Sequence, residues 1–358
     1  MKLLFAINNL CAGGAEGVLS ALVNQISTYD GIEVHLVCFH SKDSFAYFYR
    51  VNEVVPIHLI EYKNDRQLVN VIESIKPNAI VSFLNPMNSV CSIASKATGV
   101  AHIACERNNP FRSPYRTVDR DMRDEAFLNA SGCVFQTIEA ANYYGDRLKG
   151  ESTIINNPIC LRLYPEIPKV LFNENRIVSV GRYAEQKNYL FMLDVFKIFH
   201  EKHPDFVLEC YGKDSGEYNR IKQYALDNGL EDCVIMNQET PFVHNYIQSA
   251  KAFLFTSLFE GSPNAIMEAA ALKIPCIASD IPEIRSLNSP YTFCKLCSLD
   301  DIGNFVDALE QIIYDKAKST PLILNGLKMA RERDIRIIAD DWAKFISMVI
   351  MNFGKARK

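Results

Sequence analysis

No run of eighteen apolar residues occurs in this chain of 358, so nothing in it is expected to cross a bilayer as a helix. The apolar opening, Leu3 to Ile7, is too short to read as a signal peptide and leads straight into a strand–loop–helix pattern. Excess positive charge is also lacking. The 38 Lys and Arg face 42 Asp and Glu, a net charge of −4, so the chain as a whole does not carry the electrostatic footprint of a nucleic-acid binder. Internal repeats and low-complexity tracts are missing too, and nothing in the composition resembles disorder. The eleven cysteines form no disulfide or zinc framework. Many sit in apolar, strand-like segments (Cys38, Cys133, Cys210, Cys276), as small buried hydrophobes do in a reducing compartment. The close pair Cys294-x-x-Cys297 has no second pair or neighbouring histidines, so it reads as structural rather than metal-binding.

What is present is a long alternation of strands and helices. Hydrophobic residues make up 48% of a chain too long for one ordinary core, which predicts two domains. In the first half, buried strands are expected at Leu3–Ile7, Val34–Phe39, Ala79–Leu84, His102–Cys105, Cys133–Phe135 and Thr153–Ile155. An amphipathic helix with Val18, Leu19, Leu22, Val23 and Ile26 on one face follows the first of them. In the second half they are expected at Ile177–Val180, Val207–Tyr211, Val234–Met236, Phe253–Thr256 and Cys276–Ala278. Apolar strands linked by helices imply parallel sheets, hence an α/β, doubly wound architecture. The Pro-rich segment 158–168 marks the boundary, giving domains 1–160 and 161–335, with a last helix over 336–358.

Ligands of doubly wound sheets sit outside the carboxyl ends of the strands. Several polar groups fall there: Gly13-Gly14, Asn85, Glu106-Arg107, Arg182 and Glu260. Any one of them is an ordinary strand end; their coincidence points to a site. The most informative stretch is Glu260-Gly261-Ser262-Pro263-Asn264-Ala265-Ile266-Met267-Glu268. Ser262 suits an N-cap and Pro263 a first helical position, with the helix running to about Leu272. Its first free amides, near Asn264 and Ala265, then point at whatever lies before the loop, and a helix start of this kind attracts a diphosphate. Glu260 precedes that anion position and Glu268 lies about a turn and a half behind it. One carboxylate is placed to meet a sugar and the other a ribose.

This Glu-x7-Glu arrangement resembles the signature of retaining glycosyltransferases of the GT-B fold, a family that includes many bacterial polysaccharide and lipid-linked sugar transferases. A second block, Val180-Gly181-Arg182 with Glu185-Gln186-Lys187-Asn188, is similar to the family's diphosphate-binding element. Gly13-Gly14-Ala15-Glu16, Tyr211-Gly212-Lys213 and Asn157-Pro158 match lesser blocks in the expected order. The resemblance implies two Rossmann-like domains facing across a cleft, with the last helix crossing back to the first. It also implies roles. Arg182 and Lys187 bind the donor diphosphate, with the amides of the Gly261–Ala265 turn. Glu260 holds the donor sugar near the reacting carbon, and Glu268 the ribose. Gly13 and Gly14 allow close backbone approach, and Asn237 and Gln238 fall where the base is read.

Glycosyl transfer builds negative charge on a leaving phosphate, and fixed cations aimed there stabilise the transition state above the ground state. Arg182 and Lys187, with helix-start amides, would replace a divalent metal, so no metal or other cofactor is expected. Asp119-Arg120-Asp121 has the spelling of a metal-dependent Asp-x-Asp motif but lies in a helical stretch, where a solvated face explains it better. One departure from the family stands at Glu106-Arg107-Asn108-Asn109-Pro110. An arginine occupies a place where many members carry a histidine, and arginine does not serve as a base. Downstream, Arg112, Arg116 and Arg120 repeat every four residues, one basic stripe if helical, with Phe111 and Tyr115 nearby. Such a stripe would meet an anionic membrane or a lipid-linked diphosphate; the alternative is a solvated face with pairs such as Arg120–Asp124. Asn85, Glu106, Arg107, Arg112 and Arg116 are therefore the acceptor-side candidates.

The expectation is a metal-independent retaining transferase moving a hexose or N-acetylhexosamine from a UDP-sugar to a polyprenyl-diphosphate-linked saccharide. Its setting is the cytoplasmic face of the membrane, in peripheral contact with anionic lipid, during O-antigen or capsule assembly. A nucleotide-sugar epimerase on a similar fold, and a non-catalytic sugar-nucleotide-binding subunit, remain as alternatives.

Overall fold

The computed structural model of the chain describes residues 1–39, 48–113, 116–160 and 175–356. These fall into two compact units, residues 1–158 with 335–358, and residues 159–334. The first unit follows the order β1 (Lys2–Ile7), α1 (Gly14–Ile26), β2 (Glu33–Phe39), β3 (Ile57–Ile60), α2 (Asp65–Ile75), β4 (Ala79–Phe83), α3 (Met87–Thr98), β5 (Ala101–Cys105), α4 (Thr117–Leu128), β6 (Gly132–Phe135), α5 (Ile138–Tyr144) and β7 (Glu151–Ile154). Its seven strands pair in the order β3-β2-β1-β4-β5-β6-β7, all parallel. β4 and β5 are buried along their whole length, as strands covered by helices on both faces must be. The α1 face read from the sequence, Val18 to Ile26, is buried against this sheet.

The second unit repeats the plan with β8 (Arg176–Val180), α6 (Tyr189–Lys202), β9 (Val207–Tyr211), α7 (Tyr218–Asp227), β10 (Val234–Asn237), α8 (Val243–Ile247), β11 (Ala252–Phe255), α9 (Asn264–Ala271), β12 (Cys276–Ser279), α10 (Pro282–Asn288), β13 (Cys294–Cys297), α11 (Ile302–Tyr314) and α12 (Lys316–Glu332). Its sheet order is β10-β9-β8-β11-β12-β13, again all parallel. The last helix, α13 (Ile335–Ala356), belongs to the first unit, where Trp342 stacks on Phe83 with ring centroids 5.6 Å apart. No helix among the described residues is long and apolar enough to cross a membrane.

Two strands escaped the sequence reading. β3 is four residues with a histidine at its second place, and β13 is Cys-Lys-Leu-Cys; neither offers enough alternation to be recognised. β13 also explains its cysteines. Residues three apart on a strand point to opposite faces, so Cys294 joins the core on one side of the sheet and Cys297 the core on the other.

The basic stripe is a correction. Arg112 lies in a turn closed by Ser113 N to Asn109 O at 2.9 Å. Arg116 is extended (φ −79°, ψ 133°), and α4 begins only at Thr117. Pro110 and Pro114 bar a continuous helix through the segment, so the three arginines do not share a helical face. Tyr115 lies outside the described residues. Asp124 pairs with Arg123 at 2.6 Å, where an Arg120–Asp124 pair was the alternative.

Candidate functional site

In the second sheet the strand order reverses between β8 and β11, which are hydrogen-bonded neighbours although β9 and β10 separate them in sequence. Crevices at such reversals are where open α/β sheets take ligands. The loop leaving β8 carries Arg182 and Lys187, and the loop leaving β11 carries Glu260.

The β8 loop is tightly drawn. Gly181 N donates to Tyr211 O at 2.9 Å and Gly212 N to Asn237 O at 3.1 Å. A Cβ on Gly212 would sit 1.9 Å from Gly181 O, so only glycine permits this approach. Two buried tyrosines fasten it: Tyr189 OH donates to Gly181 O at 2.7 Å, and Tyr183 OH lies 2.7 Å from Asn237 O. One 3-10 turn, Glu185–Lys187, follows. Asn188 then takes the left-handed conformation (φ 53°), which asparagine tolerates better than most residues, before α6 starts.

This turn is sewn to the β11 loop. Thr256 Oγ1 donates to Lys187 O at 3.0 Å, Leu258 N to Gln186 O at 2.9 Å, and Gln186 Nε2 to Phe259 O at 2.8 Å. On that frame the Lys187 ammonium meets Glu260 Oε1 at 2.6 Å and lies 5.1 Å over the Phe255 ring. Both partners are largely buried, the side chains 15% and 8% exposed. Arg182 stays exposed and donates to Gln186 Oε1 at 3.3 Å. The structure therefore joins two motifs far apart in sequence into one charged cluster, with Gln186, Thr256, Tyr183 and Tyr189 as supports that the sequence did not single out. Gln186 and Thr256 adjoin motif residues, which was their only signal.

Helix α9 starts one residue later than the pattern predicted. Pro263 is the cap, its ψ of 100° being extended rather than helical, and Asn264 and Ala265 become the first helical positions. Gly261 and Ser262 form the turn before it. Glu268 lies one helical turn after Asn264 on the same face, where its carboxylate is 3.2 Å from His244 Nε2. His244 stands on α8, in the connection after β10. Asn237 ends β10, its carbonyl already engaged by Gly212 N and Tyr183 OH, and Gln238 follows, exposed.

In the first unit the candidates divide. The strand order reverses between β1 and β4; Gly13 and Gly14 follow the former and Asn85 the latter. Gly13 caps α1 with extended backbone and Gly14 is exposed. Asn85 O accepts from Asn8 Nδ2 at 2.8 Å, while its buried Oδ1 has no protein partner among the described residues. Arg107 is buried over the Phe83 ring at 4.7 Å and donates to Asn157 Oδ1 at 2.6 Å, while its Nε has no partner among the described residues. Burial pushes its guanidinium down to about 10. Glu106 is committed internally. It accepts from the backbone N–H of Arg107 and Asn108 and from Tyr144 OH, each at 3.1 Å, and lies 3.9 Å from Arg123. Burial raises its pKa, and its bonds support the loop rather than leaving the carboxylate for an acceptor, a correction to the sequence reading. Arg112, on the turn beyond, and Arg116, extended just before α4, are both exposed.

Residues 165–329 match the family described as Glycosyl transferases group 1. That match lies within the second unit and spans less than half of the chain. The chain is similar over 355 residues to an uncharacterized glycosyltransferase of Haemophilus influenzae, 23% identical and covering 95% of this chain and 98% of that one. It is 21% identical over 367 residues to a GalNAc-alpha-(1->4)-GalNAc-alpha-(1->3)-diNAcBac-PP-undecaprenol alpha-1,4-N-acetyl-D-galactosaminyltransferase of Campylobacter jejuni, covering 98% and 99%. Among solved structures, Anabaena HepE in complex with UDP and glucose superposes with a TM-score of 0.85 at 15% identity, over 97% of this chain and all of that one. The fold is GT-B, two parallel-sheet α/β units of seven and six strands.

Proposed function

We propose that this chain is a group 1 glycosyltransferase that moves a hexose or N-acetylhexosamine, with retention, from a UDP-sugar to a polyprenyl-diphosphate-linked saccharide in bacterial surface polysaccharide assembly. The observation that carries the reading is the Lys187–Glu260 pair, held at 2.6 Å where the second sheet reverses its strand order. A cation and a carboxylate fixed side by side suit a ligand with a diphosphate at one end and a sugar's hydroxyls at the other. The lipid-linked acceptor is supported by the Campylobacter relative's name and the UDP donor by the ligand of the Anabaena structure.

In this mechanism Lys187, Arg182 and the amides at the start of α9 hold the donor diphosphate. Glu260 accepts hydrogen bonds from the sugar's hydroxyls and orients its anomeric carbon; Glu268 does the same for the ribose. The bond from the anomeric carbon to the phosphate oxygen breaks through an oxocarbenium-like state, and both electrons stay with UDP. An acceptor hydroxyl forms its bond on the same face and passes its proton to the departing phosphate. The cations are fixed before charge builds, so no reorganisation is needed as it does. Asn85, Arg107, Arg112 and Arg116 are assigned to the acceptor, with peripheral contact at the cytoplasmic membrane face and no metal.

The test is a panel of radiolabelled UDP-sugars incubated with the protein and membrane lipid extract, with and without EDTA. Label in the lipid fraction at undiminished rate in EDTA is expected. Label returned as an altered free nucleotide sugar identifies an epimerase, and none in either fraction a binding subunit; both outcomes overturn the proposal.

A further inference from the structure

We infer that His244 is a positioning residue for donor binding, acting through Glu268; this rests on the reading that Glu268 takes the donor's ribose hydroxyls. A glutamate on a helix surface moves freely, and fixing it for a ligand costs side-chain entropy. Here that cost is met before the ligand arrives. The His244 Nε2 to Glu268 Oε2 distance is 3.2 Å, with the two side chains 16% and 30% exposed. A carboxylate only accepts, so Nε2 carries the hydrogen.

The imidazole itself is held by what flanks it. Val243 and Ile247 on α8 are buried in the same core as Ile266, Met267, Ala269 and Ala270 of α9. The two helices thus pack into one core at this point, and the hydrogen bond between them sets which way Glu268 faces. One carboxylate oxygen is occupied by the histidine, which leaves the other to accept from a diol. α8 also continues the connection after β10, so the pair ties the ribose-binding carboxylate to the segment assigned to the base.

Isothermal titration of the full-length protein with UDP tests the inference. His244→Ala should weaken UDP binding about tenfold, as loss of one charge-assisted bond does. His244→Gln, whose Nε2 donates from nearly the same place, should stay within about threefold of wild type. In turnover assays His244→Ala should raise KM for the donor more than it lowers kcat, with an unchanged melting temperature. Because His244 acts through its partner, His244→Ala in a Glu268→Gln background should add less than about twofold. A full additive loss in the double variant, or wild-type affinity in His244→Ala while Glu268→Gln binds weakly, overturns the inference and leaves the Glu268 assignment standing. Wild-type affinity in Glu268→Gln, or no binding of UDP by the wild type, overturns the underlying reading instead.

Discussion

Lys187→Met leaves the Glu260 carboxylate in place, 6% exposed as a residue, without the ammonium that faces it at 2.6 Å. Breaking a buried pair by removing one partner costs roughly 3–5 kcal/mol. Because Lys187 keeps 15% of its side chain exposed, water offsets part of this, and about 3 kcal/mol is the working figure. For a unit of this size that is a fall in melting temperature of about 6–12 °C. Glu260→Gln should cost less, since the lysine left behind is the more exposed partner. The double variant Lys187→Met with Glu260→Gln carries no unpaired charge and should recover to within about 1 kcal/mol of wild type. Transfer behaves differently. Both groups are needed by the donor, so each single variant and the double should lose roughly two to three orders of magnitude in kcat/KM. Stability is read by differential scanning fluorimetry with and without UDP, and transfer by the lipid-extraction assay. The wild type should gain melting temperature with UDP and the Met variant little. A double variant as unstable as the sum of the singles would falsify the pairing argument, and near-wild-type transfer in Lys187→Met would remove the site.

Reversing Arg112 and Arg116 to Glu should reduce use of a lipid-linked acceptor severalfold while leaving UDP affinity unchanged; both are exposed, so the fold should be unaffected. Equal rates on lipid-linked acceptor would remove them from that role. Gly212→Ala places a Cβ 1.9 Å from Gly181 O, a backbone atom that cannot step aside cheaply, and should destabilise the second unit by about 2 kcal/mol or more; an unchanged denaturation midpoint contradicts this. His102 is buried, its Nε2 is 2.7 Å from Ser82 Oγ, its Nδ1 has no partner among the described residues, and burial pushes its pKa down to about 3. The unfolded chain takes up this proton near pH 6.5 and the folded chain does not, so the stabilising contribution is complete above pH 6.5 and is lost as pH falls toward 3. The slope of about 1.4 kcal/mol per pH unit predicts a loss of about 2 kcal/mol by pH 5. Urea denaturation at pH 8 and pH 5 should show this extra loss in wild type and not in His102→Gln; parallel losses refute it.

How much of this was readable beforehand follows from how each feature is encoded. The long apolar strands and the α1 face carry their burial in a local period, so their places were legible from Leu3 to Cys276. β3 and β13 are too short for any period. The charged cluster was legible only as two separate strings. Nothing local in Glu185-Gln186-Lys187 says that it will lie against Ser257-Leu258-Phe259-Glu260; that follows from β8 and β11 being neighbours in the sheet, a fact of topology. The supports were illegible for the same reason. Tyr183 and Tyr189 look like ordinary aromatic core positions until their hydroxyls find carbonyls at the strand ends. The basic stripe failed in the opposite direction. Its four-residue spacing was real, but spacing means a shared face only on a helix, and the prolines at 110 and 114 already denied one. Glu106 shows the remaining limit. A carboxylate at a strand's carboxyl end looks like a ligand-binding group until the neighbours it answers to, Tyr144 and Arg123, arrive from elements 38 and 17 positions away. Periodicity reports which face an element buries, but whether a polar group serves a ligand or its own loop depends on what the fold brings against it.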